Sequence, residues 1–236
     1  SNNMYIDTHC HLDSREWENI EEIIKNIENN IIIVSGYDDL SNQEVIEMIN
    51  QYPNVYGTIG IHPSEVTSSH LSIVEQYITN SKIVGIGEIG LDYHYGKENI
   101  YLQKEIFQKQ LELARKYHKP VVIHSRDAAQ DTLEIIKNNA DVEYIMHCYS
   151  YSVEIAKQLL KYSVKFGIGG VLTFKNSKEI KEVVKMLPID KIVLETDSPW
   201  LTPEPYRGQK NEPKNVVLVA KKIAEIKDIS LDEVLE

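Results

Sequence analysis

Short apolar runs alternate along this chain with longer amphipathic stretches. Eight of these runs are rich in Ile and Val and are bounded by Gly, Pro, Asp or Ser, a pattern typical of buried parallel strands. The predicted strands are Tyr5–Asp7, Ile31–Ser35, Val55–Ile61, Ile83–Glu88, Val121–His124, Tyr144–His147, Val164–Ile168 and Ile192–Asp197.

The stretches between the runs predict helices. The clearest extends from about Glu98 to Tyr117, where apolar residues recur on one stripe before Pro120. Ser41 and Ser152 are suitable N-cap residues, and Pro213 suits a first helical turn. The other predicted helices are Glu16–Glu28, Asn42–Gln51, Val66–Thr79, Ala128–Asn138, Ser152–Leu160, Lys178–Met186 and Pro213–Ile226.

Eight strand–helix alternations predict an α/β protein with a (β/α)8 TIM-like barrel, in which some distortion is allowed. The absence of linkers and low-complexity stretches predicts a single domain over residues 4–236. Residues 1–3, before Met4, are interpreted as an expression remnant. Residues 231–236 resemble the start of another helix, which leaves open whether residues follow.

Composition narrows the class of protein. The net charge of −11 argues against sequence-independent wrapping of DNA, but it does not exclude a phosphate substrate where bound cations change the local field. No apolar run approaches the roughly 20 residues of a membrane span, and the polar N-terminus predicts no signal peptide. Cys10 and Cys148 are too few for a disulfide scaffold, so we expect reduced thiols and a cytoplasmic location.

The first predicted strand leads into two histidines one residue apart. Residues i and i+2 of a strand point to the same face, so His9 and His11 can direct two imidazoles at one point. Cys10, between them, points away and is interpreted as a small buried hydrophobe. The alternative for the pair is hydrogen bonding to neighbouring backbone.

Further metal-ligand candidates end other apolar runs, where the active site of a barrel of this type lies. Glu88 can bridge two cations through its two oxygens, and Asp197 can bind a cation and orient or deprotonate water. Individually these residues are ordinary; Glu88, for example, could be a buried carboxylate paired with Lys or Arg. The full candidate set is His9, His11, Glu88, His124, His147 and Asp197.

Several neighbouring residues are candidates for supporting roles. Glu195 is expected to position a ligand, and Asp92 either to position a ligand or to cap a helix. Arg126 and Arg207 are candidates for binding phosphate, although Arg126 could instead pair with a local acid. His62 is expected to contact substrate or to position a ligand rather than to bind a cation, and the alternative is a role in stabilising its loop. Tyr149 could offer a stacking or hydrogen-bonding surface, and Gly169-Gly170 could offer either backbone N–H groups for phosphate or a plain turn. The chain lacks the P-loop, nucleophile-elbow and C-x-x-C motifs.

Taken together, the motifs resemble those of the TatD family of metal-dependent deoxyribonucleases, in the wider amidohydrolase-like group. The resemblance runs in order over nearly the whole chain and ends with Arg207, Asn211 and Pro213. The motifs are Asp7-Thr8-His9-Cys10-His11, Gly87-Glu88-Ile89-Gly90-Leu91-Asp92-Tyr93, His124-Ser125-Arg126-Asp127-Ala128, His147-Cys148-Tyr149 and Leu194-Glu195-Thr196-Asp197-Ser198-Pro199.

The resemblance implies two divalent cations and trimming of DNA from its 3′ end. Mg²⁺ or Mn²⁺ is expected in function, although the ligand types also accept Zn²⁺. The implied first cation is held by His9, His11, Glu88 and Asp197, and the second by Glu88, His124 and His147.

We therefore expect a metal-dependent phosphodiesterase, with Asp197 and Glu88 as catalytic residues and single-stranded 3′ ends of DNA as substrate, acting as a monomer away from membranes. The alternative is an amidohydrolase or esterase that uses the same metal pair on a C–N or C–O bond. A third hypothesis is a binding protein that retains the metals without turnover.

Overall fold

The computed structural model describes residues 4–27 and 29–236. Eight parallel strands form one sheet in which each strand pairs with the next along the chain. The strands are Ile6–Cys10 (β1), Ile31–Ser35 (β2), Val55–Ile59 (β3), Ile83–Asp92 (β4), Val121–Arg126 (β5), Tyr144–Met146 (β6), Val164–Ile168 (β7) and Ile192–Leu194 (β8). This arrangement confirms the predicted (β/α)8 barrel.

Helices follow the strands around the outside. They are Ile20–Lys25 (α1), Asp39–Gln51 (α2), Leu71–Tyr77 (α3), Ile100–Tyr117 (α4), Ala129–Asn138 (α5), Val153–Leu159 (α6), Lys178–Met186 (α7), Val216–Lys227 (α8) and Leu231–Leu235 (α9). The last of these confirms the predicted helix start at residues 231–236. Among the helices of the described ranges, none has both the length and the apolar character needed to cross a membrane.

The core lies on both faces of the sheet. Val121, Val122 and Ile123 are consecutive in β5 and all buried, because one face of the strand points into the barrel and the other packs under the helices. On the helix side, Phe107 and Leu111 of α4 are buried, as the apolar stripe predicts.

The barrel closes between its first and last strands. The Thr8 hydroxyl donates to the Leu194 carbonyl at 2.7 Å. Beyond the end of β8, Asp197 N donates to His9 O and His11 N donates to Ser198 O, both at 2.8 Å. The seam is therefore formed partly by the same residues that carry the candidate chemistry.

Several predicted boundaries are corrected by local hydrogen bonding. The N–H groups of Glu16 and Trp17 both donate to the Asp13 carbonyl in a turn, so α1 starts only at Ile20. Glu28, the predicted end of that helix, and residues 1–3 lie outside the described residues. The β4 strand continues past Glu88 to Asp92.

Two other helices, α2 and α8, begin at residues that differ from the prediction. Asp38, rather than the predicted Ser41, is the N-cap of α2; Ser41 lies at the third helical position and completes a reciprocal capping box. Ser152 is confirmed as the N-cap of α6, where it accepts from Ile155 N at 3.2 Å. Pro213 begins a short 3₁₀ turn that leads into α8, rather than the α-helix itself.

The capping of α2 can be tested by replacing Asp38 with Ala. The variant loses the cap and the Arg15–Asp38 ion pair at 2.9 Å. We expect a loss of about 1 kcal/mol in the free energy of unfolding, which lowers the melting temperature by roughly 2–4 °C in a chain of this size. Circular dichroism melting of Gln43→Ala, at an exposed position of the same helix, provides the control. Equal melting temperatures for the two variants would contradict the capping role.

Candidate metal centre

Glu88 is the residue on which the strand ends converge. It lies within β4 and is buried, with 4% of its surface exposed. Imidazole nitrogens surround its carboxylate at 3.0–3.6 Å. From Oε2 the distances are 3.3 Å to His9 and 3.4 Å to His11, and from Oε1 they are 3.0 Å to His124 and 3.6 Å to both His62 and His147. One carboxylate therefore presents each oxygen to a different set of histidines.

Asp197 supplies a second carboxylate to this cluster. Its backbone adopts a left-handed conformation with φ 56°, just beyond β8. Its Oδ1 atom lies 3.2 Å from His11 Nε2, 3.5 Å from His147 Nε2 and 3.7 Å from His9 Nε2. The structure thus brings all six predicted ligands together, although they come from five separate strand ends.

The side chains form three overlapping groups whose ligand atoms lie within 4.8 Å of one another: His9–Glu88–His147, His9–His11–Asp197 and His62–Glu88–His124. Nitrogen and carboxylate donors at this separation suit divalent transition metals. The separate sets of histidines at the two oxygens of Glu88 also fit a carboxylate that bridges two cations. The groups differ from the implied ligand sets because His147 also approaches His9 and because His62 joins His124.

Hydrogen bonds on the outer side of each ring fix which nitrogen faces the cluster. His11 Nδ1 lies 3.0 Å from the Ser35 carbonyl, an acceptor, so this nitrogen carries a proton and Nε2 is the atom that can bind a cation once its own proton is displaced. His147 Nδ1 likewise donates to Glu195 at 3.0 Å. Such outer partners hold the tautomer that binds a metal.

His124 also has an outer carboxylate partner, but here Nε2 faces outward and Nδ1 faces the cluster. Its Nε2 atom donates to Asp92 at 2.9 Å, which leaves Nδ1 to face Glu88. The structure therefore places Asp92 and Glu195 where the sequence predicted, each against a candidate ligand. Ser35, against His9 and His11, was not predicted because it ends an ordinary apolar strand.

His62, in contrast, turns its protonated nitrogen toward the cluster. The Ser64 backbone N–H donates to His62 Nδ1 at 3.0 Å, so neutral His62 carries its proton on Nε2, the atom that faces Glu88. A protonated nitrogen donates a hydrogen bond and has no lone pair for a cation. Burial lowers the pKa of His62 to about 4, which keeps the ring neutral. We therefore interpret His62 as a donor beside the centre, although its position alone would permit ligation.

Charge is concentrated in this cluster. Burial by itself raises the pKa of Glu88, but the charge of His147 and hydrogen bonds from His11 and His124 outweigh it and lower the pKa well below its usual value. Burial lowers the pKa of His147, and the surrounding Glu195, Glu88 and Asp197 reverse this and raise it to about 10. Glu88 is thus ionised, and a divalent cation would replace imidazolium protons as its partner.

The cluster lies in a cavity of about 630 Å³, within the range of small-molecule sites. Arg126 and His62 line it together with the candidate ligands His11, Glu88, His124, His147 and Asp197. The predicted phosphate contact Arg207 is not among the lining residues. Its guanidinium carbon lies 3.7 Å from the centre of the Phe174 ring. A substrate contact by Arg207 stays a prediction.

Other lining residues were not singled out from the sequence. Asp13 accepts a hydrogen bond from the Tyr37 hydroxyl. Its other oxygen is buried without a hydrogen-bond partner in the described part of the chain. Trp200, three residues after Asp197, also lines the cavity. The predicted stacking surface at Tyr149 is corrected, because this ring is buried against Phe166.

The fold and the site define a class of protein: a (β/α)8 barrel whose rim gathers imidazoles and carboxylates suited to divalent cations. The family described as TatD related DNase matches residues 6–236. The chain belongs to this family and is a metal-dependent hydrolase.

Individual relatives agree with this assignment. The chain is 40% identical over 240 residues to the uncharacterized metal-dependent hydrolase YabD of Bacillus subtilis, covering 98% of this chain and 94% of that protein. It is 37% identical to the uncharacterized metal-dependent hydrolase MG009 of Mycoplasma genitalium, covering 97% and 94%. The crystal structure of YJJV, a TATD homologue from Escherichia coli, superposes with a TM-score of 0.87 at 26% identity, covering 98% and 93%.

The role of Glu195 can be tested with Glu195→Gln. Glu195 accepts from both His147 Nδ1 and Cys148 N, and an amide cannot accept at both ends. The substitution therefore disfavours the metal-binding tautomer of His147. We expect metal affinity to fall about 10–100-fold, as measured by calorimetric titration with Mn²⁺ and Zn²⁺.

The matched control for this experiment is Glu204→Gln, at an exposed position outside the cavity. It should bind both ions like the unmodified chain. Unchanged affinity in Glu195→Gln would show that this hydrogen bond does not set the tautomer.

Proposed function

We propose that this protein is a divalent-metal-dependent phosphodiesterase that removes nucleotides from unpaired 3′ ends of DNA. The observation that carries the proposal is the division of histidines between the two oxygens of Glu88, beside Arg126 in one cavity. Membership of a family described as DNases supports the choice of substrate. We further propose that residues 4–236 act as one catalytic domain.

The donor set suggests how two cations would be held. His9, His11, Glu88 and Asp197 would hold one, and Glu88, His124 and His147 the other. Bound divalent cations supply activation of water and neutralisation of charge on phosphoryl oxygens. Mg²⁺ or Mn²⁺ fits a phosphate substrate best, and Zn²⁺ is compatible with the imidazoles.

We assign proton transfer, hydrogen-bond donation and phosphate binding to three side chains of the cavity. Asp197 lies 3.2 Å from His11 at the edge of the cluster, where it would orient the attacking water and accept its proton. The His62 Nε2–H would donate to a phosphate oxygen or to the leaving oxygen. Arg126, exposed at the cavity, would hold a phosphate through its planar pair of donors.

A hydrolase for C–N or C–O bonds is the second candidate, and one observation favours it. Asp13, Glu16 and Glu65 also line the cavity, and their negative charge does not favour a polyanion. Activation of water by the same cluster would serve either chemistry. Arg126 and the family description make phosphodiester hydrolysis our choice.

The proposal extends to the setting of the reaction. A single chain contains every member of the cluster, so we propose that a monomer suffices for activity. Both cysteines are free, which supports our proposal of a reducing, cytoplasmic location. The proposed partner is DNA with unpaired 3′ ends.

The reaction can be tested with 5′-labelled single-stranded DNA. The metal-stripped protein is incubated with and without Mg²⁺ or Mn²⁺, and the products are separated on a sequencing gel. We expect a ladder that shortens from the 3′ end only when metal is added. Intact DNA, with metal binding demonstrated separately, would favour the amide or ester alternative.

Glu88→Ala should abolish this ladder, because the variant lacks the carboxylate shared by both histidine sets. We expect the turnover to fall below detection while the barrel remains folded by circular dichroism. Glu112→Ala, at an exposed position of α4, is the matched control and should cleave normally. Normal cleavage by Glu88→Ala would disprove the assigned centre.

The phosphate contacts can be separated by comparing Arg126→Ala with Arg207→Ala. Because only Arg126 lines the cavity, we expect it to cause the larger loss of kcat/KM on bis(p-nitrophenyl) phosphate, on the order of tenfold or more for a charge-assisted contact. Hydrolysis of neutral p-nitrophenyl acetate, where detectable, should be unchanged in both. A larger loss in Arg207→Ala would assign the phosphate to the loop after β8 instead.

A further inference from the structure

The two tryptophans of this chain have contrasting environments. Trp17 is buried, its indole N–H donates to the His11 carbonyl at 2.8 Å, and the Lys210 ammonium lies 4.0 Å from its ring centre. Trp200 is 51% exposed and lines the metal cavity. In the described part of the chain, neither a ring nor a cation stacks on it.

The backbone beneath Trp200 is held firmly. Its N–H donates to the Asp197 carbonyl at 2.9 Å. Its carbonyl accepts from Asn211 Nδ2 at 2.8 Å, and the same amide group donates to Thr196 O at 2.9 Å. Asn211 is fully buried, so this side chain ties the turn to the end of β8. The indole is therefore an exposed ring on a fixed support.

The next residue shows that the turn is shaped against local preference. Leu201 has φ 54°, in the left-handed region that a bulky side chain rarely adopts. Its carbonyl lies so close to Gly170 that a Cβ atom there would be 2.1 Å away. Gly170 is thus required for this close approach, and it also begins a 3₁₀ turn, Gly170–Thr173. A phosphate contact by Gly169-Gly170 stays a prediction.

A single exposed aromatic residue is common on protein surfaces and needs no explanation by itself. Trp200 differs because it lies on a fixed turn three residues from Asp197 and lines the same cavity as Glu88 and His147. A ligand whose reacting group lies at the cluster would occupy the cavity that this ring lines. A flat group on that ligand would find a flat surface already in position.

We infer that Trp200 is the stacking surface for the base of the terminal nucleotide, an inference that rests on the proposed function. With the scissile phosphate at the cluster and Arg126, the base next to it is the flat group within reach of the indole. Stacking on an aromatic side chain is insensitive to base identity and requires an unpaired base. Trp200 would therefore set the preference for single-stranded ends.

The first test pairs a variant with an altered substrate. Trp200→Ala and the unmodified protein are compared on an oligonucleotide with a normal 3′ base and on one with a 3′ abasic residue. We expect Trp200→Ala to lower kcat/KM on the normal oligonucleotide by about tenfold or more, chiefly through KM. On the abasic oligonucleotide the two proteins should be equal, and Trp200→Phe should restore most of the loss.

Tyr101→Ala is the matched control, since Tyr101 is 85% exposed and lies outside the cavity lining; it should behave normally on both oligonucleotides. Equal losses on normal and abasic oligonucleotides in Trp200→Ala would overturn the inference, because the residue would then support the fold or the centre rather than a base. The absence of any loss on the normal oligonucleotide would overturn it too.

A binding measurement separates this inference from the proposed nuclease activity. The emission of Trp200 is obtained as the difference between the unmodified protein and Trp200→Phe, while a normal or abasic oligonucleotide is titrated. Quenching by the normal oligonucleotide alone supports stacking even where no cleavage occurs. Equal quenching by both oligonucleotides, or none by either, contradicts stacking whatever the cleavage result.

Discussion

The site depends on one constraint: a single buried carboxylate must be reached by imidazoles from several strands. Glu88 meets this constraint because β4 lies between β3 and β5 in the sheet, and the remaining histidines approach from across the barrel mouth. Only a nearly closed barrel brings the ends of β1 and β6 to the same point as β4. The apolar core is therefore a condition for the chemistry, since it fixes the positions from which the ligands extend.

The constraint also explains the polar groups behind the histidines. An imidazole ring packed against a carboxylate can direct either nitrogen toward it. The hydrogen-bond partner on the outer side of the ring determines which nitrogen is left to bind a cation. Ser35, Asp92 and Glu195 are outer acceptors that leave the inner ring nitrogen to bind a cation, whereas the Ser64 N–H is an outer donor that directs the His62 proton toward the cluster. His147 and His62 lie at the same distance from Glu88, yet the first is suited to bind a cation and the second to donate a hydrogen bond.

The barrel and the six candidate ligands could be predicted from the sequence, because each depends on a pattern within a short segment of the chain. Periodic apolar runs define strands, and the carboxyl ends of parallel strands share one rim, so six ligand candidates could be placed together without coordinates. The tautomer of His62 could not be predicted, because it depends on the path of the loop after β3. The positions of Arg207 on Phe174 and of Trp200 in the cavity could not be predicted either, because long-range contacts such as those of Asn211 and Gly170 shape the loop after β8.

The seam between β1 and β8 places the first and last strands of the barrel at the candidate centre. Asp197 donates its backbone N–H to His9, and His11 donates to Ser198, so closure of the barrel and completion of the cluster occur at one place. A chain emerging from the ribosome presents His9 and His11 first and Asp197 only after some 190 further residues have been added. The cluster is thus complete only in a chain that extends beyond its eighth strand. The ligand set that contains His9, His11, Glu88 and Asp197 therefore joins the beginning of the chain to a segment that is synthesised much later.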